Sequence, residues 1–320
     1  MEIQKKELVN RTDQTLHVMY DLRYLPITFD CATYFVGANA TRQVMGLSSM
    51  HVHVIAPSFR RYSERDISIT DAEKRWRAHH IVLQVAHLLP NTSVTYSEAL
   101  PESISFPLYP AFYQPNLGSQ LLNAHLPLYS LKHISSLEKT GVDLRPFKCP
   151  DIQPAGLPAA AGAPLVTVSL RTSKFQPTRN SNLSAWADLV ERARAKGYRV
   201  AVIPDFEDLV GEKKFSEFFR ESDVVAEAAF SLFIRASLYE TATYNFGVNN
   251  GVMAILLHSK NPYAFFKIIT DDVKTTSYKF FKDRGLDAGE KPRFASHNQH
   301  WIWKNDDSEI LNEQLSLIGL

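Results

Sequence analysis

Cysteine is nearly absent from the 320-residue chain: Cys31 and Cys149 are its two thiols, far apart and outside any CxxC spacing. That excludes a disulfide scaffold and a cysteine-rich zinc site, and it suits a reducing compartment. An excess of either charge is lacking too. The 35 basic and 34 acidic side chains leave a net charge of +1. Bulk electrostatics therefore offers no footprint for nucleic acid or for polybasic membrane binding, and any preference for anions has to be local. No window approaches the roughly 18 apolar residues that a spanning helix needs. The opening "MEIQKKELVNRTDQT" has no apolar signal segment, so a cytoplasmic protein is expected, with peripheral membrane contact left open. Catalytic signatures are missing as well: there is no GxxxxGK[ST], HExxH, GxSxG, DxD or kinase pattern. The pairs His51/His53, His79/His80 and His297/His300 come without supporting ligand spacing, so no metal site is expected.

What the chain does contain is alternation. "LHVMY" is a short apolar run, "YDLRYLPITFD" a connection broken by Pro26, and "ATYFVGANATRQVMG" a helical pattern closed by Gly46. "MHVHVIAP" reads as a strand that places His51 and His53 on one face. "DAEKRWRAHHIVLQVAHLLP" reads as a helix with Asp71 as its N-cap, and "SVTYSEAL" as a third strand. From about Pro101 to Pro164 the pattern decays into a loop region ending in the linker "PDIQPAGLPAAAGAP". Alternation then restarts with "LVTVSL", the helix "NLSAWADLVERARAKG" and the strand "YRVAVIPD". The helix "LFIRASLYETATYN", the turn "FGVNNG", the helix "VMAILLHSKN" and the apolar run "AFFKIIT" follow. The expected fold is α/β, with two Rossmann-like domains facing a cleft: an N-terminal domain over 1–150, a linker over 151–163 and a C-terminal domain over 164–320.

Ligands in such sheets sit at the carboxyl ends of the strands. "SLRTSKFQPTRNSNLSAW" falls at one such end and gathers Arg171, Lys174 and Arg179 among Asn180, Ser181, Asn182 and Ser184. A helix N-terminus with outward N–H groups and nearby cations suits an anion, although a solvated polar loop reads equally well from spacing alone. "YNFGVNNG" brings Asn249, Asn250 and Gly251 to a second strand end. Taken alone it is a tight turn, and its position beside the first loop is what raises a binding role. Glu240, just before it, is a candidate partner for a ribose hydroxyl. In the first half Asp21 and Asp30 are the carboxylates near a strand end, Asp30 also being a natural N-cap. "DFED" reads as a loop with helix-start acids, and Asp306/Asp307 as the cap of a final helix.

A strand ending in Arg ("VSLR", Arg171) and an Asn-Gly turn opening a helix ("VNNG", Asn249–Gly251) resemble the donor-binding half of GT-B glycosyltransferases, fucosyltransferase-like enzymes above all. "YDLRYLPITFD", "TRNSNLSAW" and "LYETATYNFGVNNG" are similar to segments of uncharacterised bacterial proteins associated with surface-polysaccharide synthesis. The second Arg that the fucosyltransferase pattern sets beside the first is missing, as is a glycine-rich donor loop in the first half. The resemblance implies a nucleotide-sugar as co-substrate, no other cofactor, no metal, and a glycan or lipid-linked acceptor. It implies diphosphate binding by Arg171, Lys174, Arg179 and the Asn249–Gly251 turn, with Asp21 or Asp30 taking the acceptor proton. A sugar-nucleotide epimerase or hydrolase on the same fold, or a non-catalytic nucleotide- or glycan-binding protein, are the alternatives.

Overall fold

The computed structural model describes residues 14–56, 70–99, 107–115, 128, 131–150, 162–270, 272–317 and 319. The chain divides into two units, Met1–Phe147 and Lys148–Leu320. Of the linker expected at 151–163, all but residues 162 and 163 lies outside the described residues.

In the first unit, period-two burial identifies the strands. β1 (Thr15–Asp21) buries Leu16, Val18 and Tyr20 on one face, and β2 (Ser49–Ile55) buries Met50, Val52 and Val54 in matching register, Val18 beside Val52. The connecting helix α1 (Cys31–Val44) packs Phe35 with its ring 5.0 Å from that of Tyr20. Gly46 closes it at φ 69°, a left-handed position that glycine adopts without steric cost. The next helix, α2, runs as Asp71–Arg77, a π segment Ala78–Leu83 and a final turn Gln84–His87. Its N-cap is Thr70, whose hydroxyl accepts from Glu73 N, so Asp71 is the first helical residue and not the cap. β3 (Thr92–Ser97) follows. The sheet order is β3-β2-β1-β4, all parallel, where β4 is the two-residue strand Leu108–Tyr109. β4 and the helix α3 (Leu131–Glu138) fall in the stretch whose composition suggests only loop.

The second unit repeats this logic with longer apolar runs. β5 (Leu165–Ser169), α4 (Leu183–Ala195) and β6 (Arg199–Ile203) come first. The short helices α5 (Phe206–Val210) and α6 (Glu227–Phe230) are separated by 3₁₀ turns at Lys214–Glu217 and Glu221–Asp223. α7 (Leu232–Thr241) stops before Tyr244, so the tail of "LYETATYN" belongs to β7 (Tyr244–Val248). Complete burial of that segment on both faces overrides its helical pattern. A 3₁₀ turn (Gly251–Met253), α8 (Ala254–Leu257), β8 (Tyr263–Phe266), α9 (Tyr278–Lys282), β9 (Gln299–Trp301) and α10 (Ser308–Leu317) complete the unit. The parallel order is β6-β5-β7-β8-β9. Its core joins Val166, Val168, Phe246 and Phe266 of the sheet to Trp186 and Leu189 of α4 and Leu311 of α10, with Trp186 edge-on to Phe266 at 5.5 Å. At Gly247 a Cβ would lie 2.7 Å from Met253 Cε and 3.2 Å from Ser169 O. Glycine there lets the 3₁₀ turn close directly over the end of the sheet.

The second face of the first sheet carries three imidazoles. His17 Nδ1 lies 3.0 Å from His53 Nε2, and the rings of His51 and His53 are 4.3 Å apart. His51 bonds Ser93 Oγ and Thr95 Oγ1 at 2.7 and 3.1 Å. The rings are tied to one another and to hydroxyls; among the described residues no group of three or more His, Cys, Asp or Glu could hold a metal ion. Burial, reinforced by His51 and His17, lowers the His53 pKa to about 4, and burial lowers that of His51. A histidine with a folded pKa below its unfolded value near 6.5 contributes most of its stability above 6.5 and loses it as pH falls toward 4, because the unfolded chain binds the proton more readily. Thermal unfolding followed from pH 7.5 to 4 should show the midpoint falling steeply below 6.5. His53→Gln should flatten that slope, and an unchanged slope in the variant would remove the cluster from the explanation.

Candidate functional site

In each sheet the chain reverses its direction of winding beside the first strand, between β1 and β4 in one and between β5 and β7 in the other. Loops part at such a switch point and leave room for a ligand at the carboxyl ends. Asp21 ends β1, and Arg171 follows the end of β5. The two residues therefore hold corresponding places in the two sheets.

At the second sheet's edge the loop after β5 is built around a buried guanidinium. Arg171 is 6% exposed, and burial lowers its pKa against the opposing pull of Asp205 and Glu207. It donates to Gln176 O at 3.0 Å, to Phe175 O and to Asn180 Oδ1. Its own N–H donates to Ser181 Oγ at 2.9 Å, and Ser181 N returns to Arg171 O. Asn180 Nδ2 donates to Ser173 O at 3.0 Å. Arg179 reaches the neighbouring loop, donating to Gln176 Oε1 and to Asn249 O, each at 2.9 Å. Two expected anion ligands thus spend guanidinium donors on carbonyls: Arg171 folds the loop after β5 on itself, and Arg179 fixes that loop against the loop after β7. Lys174 differs: its side chain is 85% exposed, with Glu212 3.8 Å away.

"DFED" anchors the same loop from the β6 side. Asp205 caps α5 and accepts from Thr172 N, while Glu207 Oε2 accepts from Ser173 Oγ and Lys174 N at 2.9 and 3.0 Å. Burial raises the pKa of Asp205. Beyond β7, Asn249 Nδ2 donates to Ile268 O at 3.0 Å and Asn250 Oδ1 accepts from Met253 N. The 3₁₀ turn beginning at Gly251 leaves the N–H groups of Gly251 and Val252 without an intrahelical acceptor. Gly251 does not use a positive φ; what the turn exploits is Asn250 as its cap.

The N-terminus of α4 already holds an anion of the protein's own. Asp306, 1% exposed, accepts through Oδ2 from Asn182 N at 2.7 Å and from Trp186 Nε1 at 2.8 Å. Lys267 stands 3.5 Å from Asp306 Oδ1 and donates to Asn180 O at 2.8 Å. Asn182 caps α4 with its side chain. The carboxylate of Asp306 therefore sits where a ligand phosphate would bind this helix end, which corrects both the reading of that end as open and the reading of Asp306 as a cap of the last helix.

The first sheet's edge presents the two expected carboxylates in different states. Asp21 is 1% exposed and fully engaged. Arg23 donates Nε to Oδ1 at 2.8 Å and Nη2 to Oδ2 at 2.5 Å, Arg23 N donates to Oδ1, and Tyr113 OH donates to Oδ2 at 2.9 Å. Donating to the Asp21 carboxylate raises the Arg23 pKa, and burial together with Asp21 raises that of Tyr113. Asp30 is exposed and occupies the N-cap position of α1 without making a side-chain cap bond, its Oδ2 accepting from Thr28 Oγ1 at 3.1 Å. Between them Tyr20 OH donates to Pro26 O at 2.6 Å, fixing the connection.

No family model and no curated protein matches the chain. Solved structures do. E. coli ADP-heptose lipopolysaccharide heptosyltransferase II aligns over 95% of this chain and 98% of its own, at 10% identity and a TM-score of 0.50. The architecture is GT-B-like. A family 9 glycosyl transferase from Veillonella parvula (9% identity, 95% and 96% covered, TM-score 0.44) and a putative UDP-N-acetylglucosamine 2-epimerase from Listeria monocytogenes (12%, 97% and 89%, 0.44) also align. The likeness establishes the α/β fold of two Rossmann-like units, and it runs along 95% of the chain, across both units.

Within this GT-B-like frame the structure gathers Arg171, Lys174, Arg179, Asn180, Ser181, Asn182, Asn249, Asn250 and Gly251 on the loops after β5 and β7. It does not bring Glu240 there. Glu240 lies near the carboxyl end of α7, which leads into the start of β7, the opposite end of the sheet, and it accepts from Cys149 N at 2.5 Å. Lys267, and the part Asp306 plays at the start of α4, are what sequence reasoning misses. Lys267 follows β8 directly at φ 53° and could have been found as a cation at a third strand end.

Proposed function

We propose that the protein is a metal-independent glycosyltransferase of the GT-B type, acting in the cytoplasm on a nucleotide-sugar donor and a glycan or lipid-linked acceptor in bacterial surface-polysaccharide synthesis. One observation carries the reading: at the switch point Arg179 and Lys267 tie the loop after β5 to the loops after β7 and β8, and Arg171 folds the loop after β5 on itself, all through bonds to carbonyl oxygens. Such rigidity supports a preorganised site for a diphosphate leaving group, where fixed dipoles stabilise charge as it develops. In this reading Lys174, the Gly251 and Val252 N–H groups and the amides of Asn249 and Asn250 face the donor, while Arg171 and Arg179 position them. Asp30 takes the proton from the acceptor hydroxyl. Among the described residues no helix is long and apolar enough to cross a membrane. That the donor half is fucosyltransferase-like in particular rests on Arg171 and the Asn249–Gly251 turn alone.

The test is a thermal-shift screen with ADP-, GDP- and UDP-sugars in the presence of a chelator, followed by product analysis. A ligand of the native state raises the melting temperature, so one nucleotide class is expected to do so and to be consumed only when an acceptor is added. Consumption without acceptor would establish an epimerase or hydrolase instead, and no shift with any nucleotide would favour a non-catalytic protein.

A further inference from the structure

An exposed phenyl ring stands at the carboxyl edge of the second sheet on backbone made rigid around it. Phe175 is 69% exposed, more than any other large hydrophobic side chain among the described residues. Leaving such a ring in water forgoes the burial of a large apolar surface. A mobile loop tip would explain that exposure, but this loop is pinned at four successive residues. Ser173 Oγ and Lys174 N donate to Glu207, and Phe175 N donates to Ser173 Oγ at 3.1 Å. The carbonyls of Phe175 and Gln176 accept from the buried guanidinium of Arg171. Gln176 is held at φ 52° and ψ 65°, a left-handed conformation for a non-glycine residue, directly before Pro177, a place that favours extended backbone. Strain of this kind persists only where the surroundings over-determine it, and it concentrates at ligand clamps. A solvated loop would need neither the buried arginine nor the strained glutamine.

We propose that Phe175 is a platform on which the ligand of this edge lays one ring face, either a nucleobase or the apolar C–H face of a sugar. The inference rests on the nucleotide-sugar reading above and adds to it the residue that holds the ring. Both sources share a flat face whose stacking on an aromatic side chain is tolerant of substituents. Arg171 acts here as a positioning residue, since it reaches the ring only through the carbonyl of Phe175.

The experiment is calorimetric titration of the wild-type chain, Phe175→Ala and Phe175→Trp with nucleoside diphosphates, with the matching nucleotide-sugars and with inorganic pyrophosphate. Phe175→Ala is expected to weaken the ring-bearing ligands by about tenfold or more, to leave pyrophosphate unchanged, and to melt like the wild type. Phe175→Trp is expected to retain binding. Equal weakening of diphosphate and nucleotide-sugar assigns the ring to the base; weakening confined to the nucleotide-sugar assigns it to the sugar. Unchanged affinity of Phe175→Ala for every ligand that the wild type binds would overturn the inference and leave the proposed function standing. Equal loss of pyrophosphate would also overturn it, because that outcome reports collapse of the loop. A wild-type chain that binds no nucleotide-sugar overturns the functional reading, and the platform with it.

Discussion

Asp30→Asn is expected to lower sugar transfer by about 10²–10⁴-fold, the usual contribution of a general base, with the first unit still folded. Its carboxylate is exposed and accepts one hydroxyl bond from Thr28, so the amide can replace it without leaving a buried charge. The same change at Asp21 should act differently. Both Asp21 oxygens are taken by Arg23 and Tyr113, and Asp21→Asn leaves a largely buried guanidinium without its counter-charge. Breaking a buried pair in this way costs about 3–5 kcal/mol, so Asp21→Asn should appear first in the denaturant midpoint and only then in activity. Rates measured beside unfolding curves separate the two carboxylates. A folded but inactive Asp21→Asn variant beside an active Asp30→Asn variant would move the base to Asp21.

The two carboxylates also show which parts of a site a sequence discloses. Their position after a strand is legible, because an apolar run followed by Pro26 marks where β1 ends. Their environments are not legible, because Tyr113, 92 residues away, is what completes the shell of Asp21. Arg171 teaches the same lesson. Its place at a strand end follows from "VTVSLR", but its donors go to Phe175, Gln176 and Asn180 only because Ser181 and Glu207 fold the loop back over it. Cations in a polar loop suggest a phosphate; here two of the three serve first to hold carbonyls in place, and Lys174 is left facing solvent. Helix and strand boundaries fail where burial outweighs local pattern, as at Tyr244 and Asn245, which continue a helical period yet lie wholly inside the sheet. The short β4 fails for the opposite reason: two residues flanked by proline carry too little pattern to register.

Asp306→Ala should produce the largest loss of stability in the second unit, about 3–5 kcal/mol. Three separate consequences converge on one carboxylate. Trp186, at the centre of the core, loses the acceptor for its indole N–H, and an unsatisfied buried donor costs about 1–3 kcal/mol. The first turn of α4 loses the anion at its positive end, where Asn182 N now donates. Lys267 loses its counter-charge and keeps only the carbonyl of Asn180. Asp306→Asn retains an acceptor for Trp186 and should recover part of the loss, which distinguishes the hydrogen bonds from the charge. The same variants bear on the site, because Lys267 and Asn180 tie the loop after β8 to the loop after β5. If the preorganised edge is what binds a diphosphate, Asp306→Asn should weaken nucleotide binding even under conditions where the unit stays folded. A phosphate that instead moved into the vacated helix end would bind Asp306→Ala more tightly than the wild type. Phosphate titrations of the two variants therefore decide whether this aspartate guards the site or occupies it.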